Sequence, residues 1–484
     1  MGPKRNGTVF LIFVIASVLL RFYSFFPGVI DHDESTYLII GRDLAGGKQL
    51  YGDVIDTKPA GIFLIYAFFH YIFGYSIFFS RLFVAVVVAF TAYMIHLASY
   101  KLFNERTSGF AAGLIYIFYT SVWTQYGLSP NTEQFFNLAT IIGFFFLLKN
   151  KKWSYSLAGL CFGVGFIIKY LVLFDFVFLT AFFLVWELIQ KKWKLKDIGF
   201  LKYLLAGIGF SLPFLLANLY FSLGENFDTF EYITYVLPFK YNKNPDNLKY
   251  IVLILDFIFR FLPLSFIFFY AIFSKGRILK KYQLWLFLCW IAGVLIAMYL
   301  PGKSFDHYTI QLMVPFSLVA GLFFHPGIKP DKYSGFVFGR KYGFLFLVIF
   351  VIIVQVSGIT GIISEKDRPR KVAEYLRTNM SPDDTIYLSN YKHIVYYLLK
   401  KECPTKYVHP TLLTNPEHAR ALGIDAKKEI EKIMEIRPTF IVVKNPYPMM
   451  NELMGSDYSL LKTFFDGAVA VFRLKETSRG APIN

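Results

Sequence analysis

The sequence predicts a polytopic α-helical membrane protein of about 11 to 13 spans, with a small α/β domain outside the membrane at its C-terminus. Three observations predict it. The 484 residues are 55% hydrophobic and 20% aromatic, with a mean hydropathy of +0.47, and the apolar residues form runs near span length instead of repeating with period 2 or 3.6. Lys and Arg gather in short clusters between those runs. Beyond residue 363 the runs stop, and charged segments with short strand-like stretches replace them.

Runs suited to crossing a bilayer occupy 9–26, 80–100, 107–125, 131–148, 154–168, 171–189, 200–222, 251–273, 283–300, 307–324 and 343–363. A further run, 60–75, is decided by charge. If it does not cross, the loops on the side of Lys4 and Arg5 hold 20 Lys and Arg, and the opposite loops hold nine before the C-terminal domain. If it crossed, every later loop would change sides and the basic clusters would face outward, against the positive-inside rule. The segment is therefore read as interfacial or re-entrant, with the N-terminus cytoplasmic. The formal charge of +17 is then an orientation signal, and no nucleic-acid partner is expected. Cys161, Cys289 and Cys403 give no disulfide framework and no cysteine metal site. No small-residue cleavage site follows the apolar run after Lys4 and Arg5, so it is read as an uncleaved first span.

Two domains follow: a membrane domain over 1–363, whose first loop spans 27–81, and an extracytoplasmic domain over 364–484. In the latter, TIYLS from 385, FIVVK from 440 and AVAVFRL from 468 read as strands. Residues 392–401, 426–436 and 458–465 read as helical, and the end from Glu476 as frayed.

The candidate functional residues lie in the polar interruptions on one face. The first loop carries DHDE at 31–34 and DTKPAG at 56–61. Asp33 and Glu34 suit the first turn of a helix, where carboxylates meet free backbone N–H groups. They equally suit a general base beside a substrate hydroxyl, and Asp31 and Asp33 around His32 allow a divalent-metal site. Lys58 and Lys169 are each explained by snorkelling at the interface. With Arg81 and Lys303 they also form a set of cations suited to a phosphate, without a nucleotide fold. Glu133, Asp306, His307 and Tyr308 fall on the same face, Glu133 opening its span and His307 preceding one. No Walker loop or dinucleotide fingerprint is present, which disfavours a soluble nucleotide-sugar donor.

In this order and spacing the motifs resemble the GT-C integral-membrane glycosyltransferases, the group of protein O-mannosyltransferases and lipid A aminoarabinose transferases. The resemblance covers about residues 27–325. It rests on DE at 33–34 with Tyr37 three residues on, TKPAG at 57–61 like the family's KPP, and SRL at 80–82. Glu133, AGLCFGVGFIIK at 158–169, and HY at 307–308 with Pro315 downstream complete it. Ala60 departs from the usual second Pro, and Glu133 stands where Asp is usual.

That resemblance implies a catalytic group of Asp33, Glu34 and Glu133, with Asp33 as base or acceptor-positioning group. It also implies that Lys58, Lys169 and His307 face the donor phosphate, a group that Arg81, Lys303 and Tyr308 complete as candidates from their place on the same face. The implied reaction moves a sugar, with inversion, from a polyprenyl-phosphate carrier to a hydroxyl of a glycan, lipid or protein acceptor. It would run at the outer face of a bilayer, expected to be a bacterial inner membrane. No cofactor is required, a divalent metal being allowed at Asp31 and Asp33. The rival expectation is a transporter or lipid-linked-sugar flippase, whose charges would line a path at the midplane within inverted repeats. The charges here gather at one rim, and no inverted repeat is seen in the sequence.

Overall fold

The computed structural model describes residues 3–123, 127–240, 247–273, 279–302, 305–326, 340–364, 367–444 and 448–476. The chain divides into two compact units: Met1–Phe26, Phe78–Tyr220 and Asn242–Ser364 in the first, and Pro27–Ile77, Phe221–Tyr241 and Glu365–Asn484 in the second.

The first unit is helical. Among the described residues, seven helical stretches of the chain are long and apolar enough to cross a membrane. An eighth is reached if Asn247–Arg260 and Leu262–Phe273, bent by 97° around Phe261, count as one span. Pro263 explains the break, since a proline fits the first turn of a new helix and not the interior of a continuing one. One expected run folds short: Arg106–Tyr119 has 14 residues where 107–125 is expected, while Thr132–Leu147 with 16 and Lys152–Ile168 with 17 keep close to the expected 131–148 and 154–168. At 1.5 Å per residue the first is only about 21 Å long, against roughly 30 Å of hydrocarbon.

Local chemistry sets where these helices end. The carbonyls of Thr120, Gly127 and Leu128, just past Tyr119, all accept from the buried Arg21 guanidinium. Lys152–Ile168 stops because Lys169 turns extended, at φ −155° and ψ 127°. The small residues of the 158–169 run serve packing: a Cβ at Gly159 would strike the Ala206 carbonyl, and one at Gly163 the Phe210 carbonyl. The helices Lys152–Ile168 and Phe200–Ser222 therefore touch backbone to backbone, as small residues permit in apolar surroundings.

In the second unit the first loop folds together with the C-terminal segment. The helices His32–Ala45 and Ala60–Phe73 pack on each other, with Gly41 against the Tyr66 backbone and Tyr37 against Phe63 and Tyr66. The second of these has 14 residues, about 21 Å, too short to traverse the hydrocarbon layer. Hydrogen bonds join loop and C-terminal segment, among them Gly28 N–H to Asp367 (2.9 Å), Arg42 to the Lys401 carbonyl (2.8 Å), Ile55 N–H to the Lys406 carbonyl (2.7 Å) and Tyr397 to the Gly74 carbonyl (3.0 Å).

The C-terminal segment contains a four-stranded mixed sheet, ordered β1-β2-β4-β3, from β1 (Ile386–Leu388), β2 (Phe440–Lys444), β3 (Tyr458–Phe464) and β4 (Val469–Leu474). β1 and β2 are parallel; β2–β4 and β4–β3 are antiparallel. Tyr387, Ile430, Ile433, Ile441, Val443, Met450 and Leu474 form its core. The expected helix at 458–465 is instead the edge strand β3. Its residues 459–463 are exposed, and its ladder with β4, irregular at Leu460/Lys462, fixes the conformation where side-chain spacing suggested a helix. Residues 477–484, most of the end expected to fray, lie outside the described residues.

Candidate functional site

The sequence-predicted residues fall into two groups, one in each unit. In the second unit, extended Asp31 precedes the helix His32–Ala45, which places Asp33 in its first turn. Lys58, before Pro59 and the next helix, points its ammonium at Asp33 Oδ1 (3.2 Å) and Asp56 Oδ1 (3.4 Å). The Asp56 carboxylate also accepts from the Lys58 backbone N–H (3.1 Å), Tyr51 donates to the Lys58 carbonyl (2.9 Å), and the ammonium sits 5.4 Å from the Tyr37 ring centre. Tyr37 reaches Asp33 Oδ2 at 3.4 Å. Burial by itself would lower the Lys58 pKa; the charges of Asp33 and Asp56 outweigh it and raise the ammonium above its ordinary range. Asp56 is nearly sealed from solvent, whereas Asp33 and Lys58 each keep about a fifth of their side-chain exposure. The pair is thus anchored from one side and open from another.

Three histidines surround this pair. His409 Nε2 faces Asp33 Oδ1 at 3.7 Å. Its Nδ1 accepts from the Thr411 backbone N–H at 3.2 Å, and because that group can only donate, the ring proton resides on Nε2. His32 Nε2 accepts from the Lys392 ammonium at 2.8 Å, and His393 Nε2 meets the Thr36 hydroxyl at 2.8 Å. The ring centres lie 5.3 to 6.1 Å apart. Burial lowers all three pKa values. It takes His32 to about 3 with Lys392 and His409 adding to the effect, and His393 well below its ordinary value, so the rings are neutral near pH 7. Among the described residues no three His, Cys, Asp or Glu side chains are disposed to hold a metal ion. The nitrogens point to Lys392, Thr36, Thr411 and Asp33 instead of converging, and Asp33, half of the expected Asp31/Asp33 metal pair, already faces an ammonium.

In the first unit the Lys169 ammonium is ion-paired with Glu133 Oε1 and lies 4.4 Å from the Tyr308 ring centre. Glu133 is fully buried in the first turn of Thr132–Leu147, and its Oε2 accepts from Thr132 at 3.0 Å. His307 stands edge-on to Tyr308, with ring centres 4.9 Å apart. Extended Lys169 ends one helix while Asp306–Leu312 forms a 3₁₀ turn, so two helix breaks bring these groups together. Lower in the same turn, Gln311 donates to Asp175 (2.6 Å), which also accepts from Trp290 (2.6 Å), tying the turn to two neighbouring helices.

Arg81 is buried and donates to the Ser24 carbonyl at 2.7 Å. Glu34 is buried in the first turn of His32–Ala45. Lys303 lies outside the described residues. Sequence reasoning missed His393, His409 and Lys392. They come from the C-terminal segment, and only the presence of histidine beside apolar residues, in KHIVYY and VHPTLL, marked them.

Residues 57–216 match the sequence-family model described as dolichyl-phosphate-mannose-protein mannosyltransferase. No curated protein matches the chain by sequence. Among solved structures, ArnT from Cupriavidus metallidurans bound to undecaprenyl phosphate superposes with a TM-score of 0.68 at 13% identity, covering 98% of this chain and 99% of that one. The apo state of the same protein gives the same score over 96% and 98%. The apo oligosaccharyltransferase from Archaeoglobus fulgidus gives 0.51 at 11% identity, over 99% of this chain and 75% of that one. At such identities the likeness is one of fold. The chain shares the fold of these structures, and its apolar helices are those of an integral membrane protein.

Proposed function

We propose that this protein is an integral-membrane glycosyltransferase that moves a sugar from a polyprenyl-phosphate carrier to an acceptor hydroxyl on the extracytoplasmic face, with inversion. One observation carries the reading: Asp33, partly open to solvent, is held by the ammonium of Lys58, which lies at the start of the family match over residues 57–216. The positive-inside pattern supports the choice of face.

In this mechanism the acceptor hydroxyl gives its proton to the Asp33 carboxylate as its oxygen attacks the anomeric carbon. The bond from that carbon to the phosphate oxygen breaks in the same step, and polyprenyl phosphate leaves with the electron pair. Lys58 is assigned to the phosphate, where a fixed cation stabilises charge that grows in the transition state. Lys169, Lys303, His307, Tyr308 and Arg81 are the further candidates for the phosphate. Glu133 is assigned to holding Lys169, and Glu34 to the region around Asp33. The reading needs no metal, because Lys58 supplies at Asp33 the positive charge a divalent cation would bring. The acceptor is a glycan, lipid or protein, and a bacterial inner membrane is the proposed location.

The test is stoichiometry and anomeric configuration. One polyprenyl phosphate released per sugar transferred, with the anomeric configuration opposite to that of the donor, is expected. Retention of configuration would overturn the single displacement.

A further inference from the structure

We propose that His409, contributed by the C-terminal segment, is a positioning residue for Asp33. This rests on the reading of Asp33 as the base. The Lys58 ammonium at 3.2 Å and the His409 Nε2–H at 3.7 Å both face Asp33 Oδ1. They do different work. Lys58 brings a full charge, which holds the carboxylate but also makes it a weaker base. A neutral N–H directed at the same oxygen from 3.7 Å, outside hydrogen-bond distance, favours one setting of the carboxylate through its dipole without adding a second positive charge, so orientation improves while basicity is kept.

The surroundings fix His409 in that role. The Thr411 backbone N–H occupies Nδ1, and the Thr411 hydroxyl, 2.7 Å from the same nitrogen, is held in turn by His418 Nδ1 at 3.2 Å. The proton is therefore committed to the nitrogen that faces Asp33. The ring packs beside His393 and His32, at 5.3 and 6.1 Å between centres, which limits its movement toward them. Its backbone belongs to the stretch that runs beside Ile55, through the bridge Ile55–Tyr407 and the bond from Ile55 N–H to the Lys406 carbonyl. The C-terminal segment thereby reaches the base directly, which gives it a part in turnover.

The experiment uses the full chain in native membranes supplied with labelled polyprenyl-phosphate mannose, turnover being read as release of polyprenyl phosphate. His409→Leu keeps much of the ring's bulk and removes the donor. It should lower kcat roughly ten- to a hundredfold, the scale of a misplaced catalytic group, while KM for the donor changes less than about threefold. His409→Gln, which restores an N–H of similar reach, should recover most of kcat. In an Asp33→Asn background, His409→Leu should have no further effect, because its target is gone. If His409→Leu fails to fold, His409→Asn, polar but too short to reach Asp33, carries the same expectation. The inference is overturned if these variants keep wild-type kcat, if Gln rescues nothing while protein levels and melting are normal, or if the losses multiply in the Asp33→Asn background. Asp33→Asn is measured alongside: if it retains turnover, the base reading itself has failed, whereas a dead Asp33→Asn with unaffected His409 variants removes only the present inference.

Discussion

Replacing Asp33 by Asn removes the proposed proton acceptor and leaves its surroundings nearly intact. The Lys58 ammonium loses one of two carboxylates, but Asp56 remains 3.4 Å away and nearly sealed from solvent. At 3.2 Å and an effective dielectric near 20, the Coulomb attraction between Lys58 and Asp33 is about 5 kcal/mol before desolvation is counted. Both side chains keep about a fifth of their exposure, so screening and hydration cut the net contribution to about 1 kcal/mol. The variant should therefore fold, melt within a few degrees of the native protein, and bind donor with little change. Its rate should fall by about 10²- to 10⁴-fold, the usual contribution of a positioned base. The assay is single-turnover release of polyprenyl phosphate at saturating donor, with melting followed in the same detergent. A rate within tenfold of the native value, from protein that melts normally, would refute the assignment of Asp33.

Lys58→Met leaves Asp33 and the buried Asp56 without their shared cation. A loss of about 3 to 5 kcal/mol is expected, far more than for Asp33→Asn, and thermal melts of the two variants side by side check the order. Lys169→Ala similarly strands fully buried Glu133, and the double variant Lys169→Ala/Glu133→Gln should regain most of the lost melting temperature. The histidine cluster predicts acid sensitivity. His32, His393 and His409 have depressed pKa values in the fold, while in the unfolded chain each protonates near 6.5. Their contribution to stability is therefore complete above about pH 6.5 and is lost as pH falls from there toward the folded value of about 3 for His32, with a slope of up to about 1.4 kcal/mol per pH unit per imidazole. Unfolding followed from pH 8 to 4 should be flat and then decline, and His32→Gln should make the decline shallower.

Much of the framework could be read from residues, because its causes are local. Apolar runs declare helices. Lys58 and Asp33 could each be singled out as polar residues of one loop, but not as partners: Lys58 reads as a cation for a phosphate, and the structure adds that it meets Asp33. The small-residue run at 158–169 serves in the sequence only as a family motif; the structure gives it a packing role through Gly159 and Gly163. Other features depend on contacts that no local pattern encodes. Thr36 and His393 are separated by 357 positions, and nothing around either signals the other. Arg81 read as a rim cation because its sequence neighbours are apolar, yet it is buried on the Ser24 carbonyl. The helix Arg106–Tyr119 stops short because Arg21, far upstream, takes up the carbonyls beyond its end. Strand β3 shows helical spacing, and only its ladder with β4 makes it a strand.

The account stands most directly on the fate of the bond between sugar and phosphate. Purified full chain in sealed vesicles, given doubly labelled polyprenyl-phosphate sugar and an envelope extract as acceptor source, should release polyprenyl phosphate and place the sugar label on an acceptor. Movement of the intact, doubly labelled lipid from one leaflet to the other, with the bond unbroken, would contradict the account and identify a flippase.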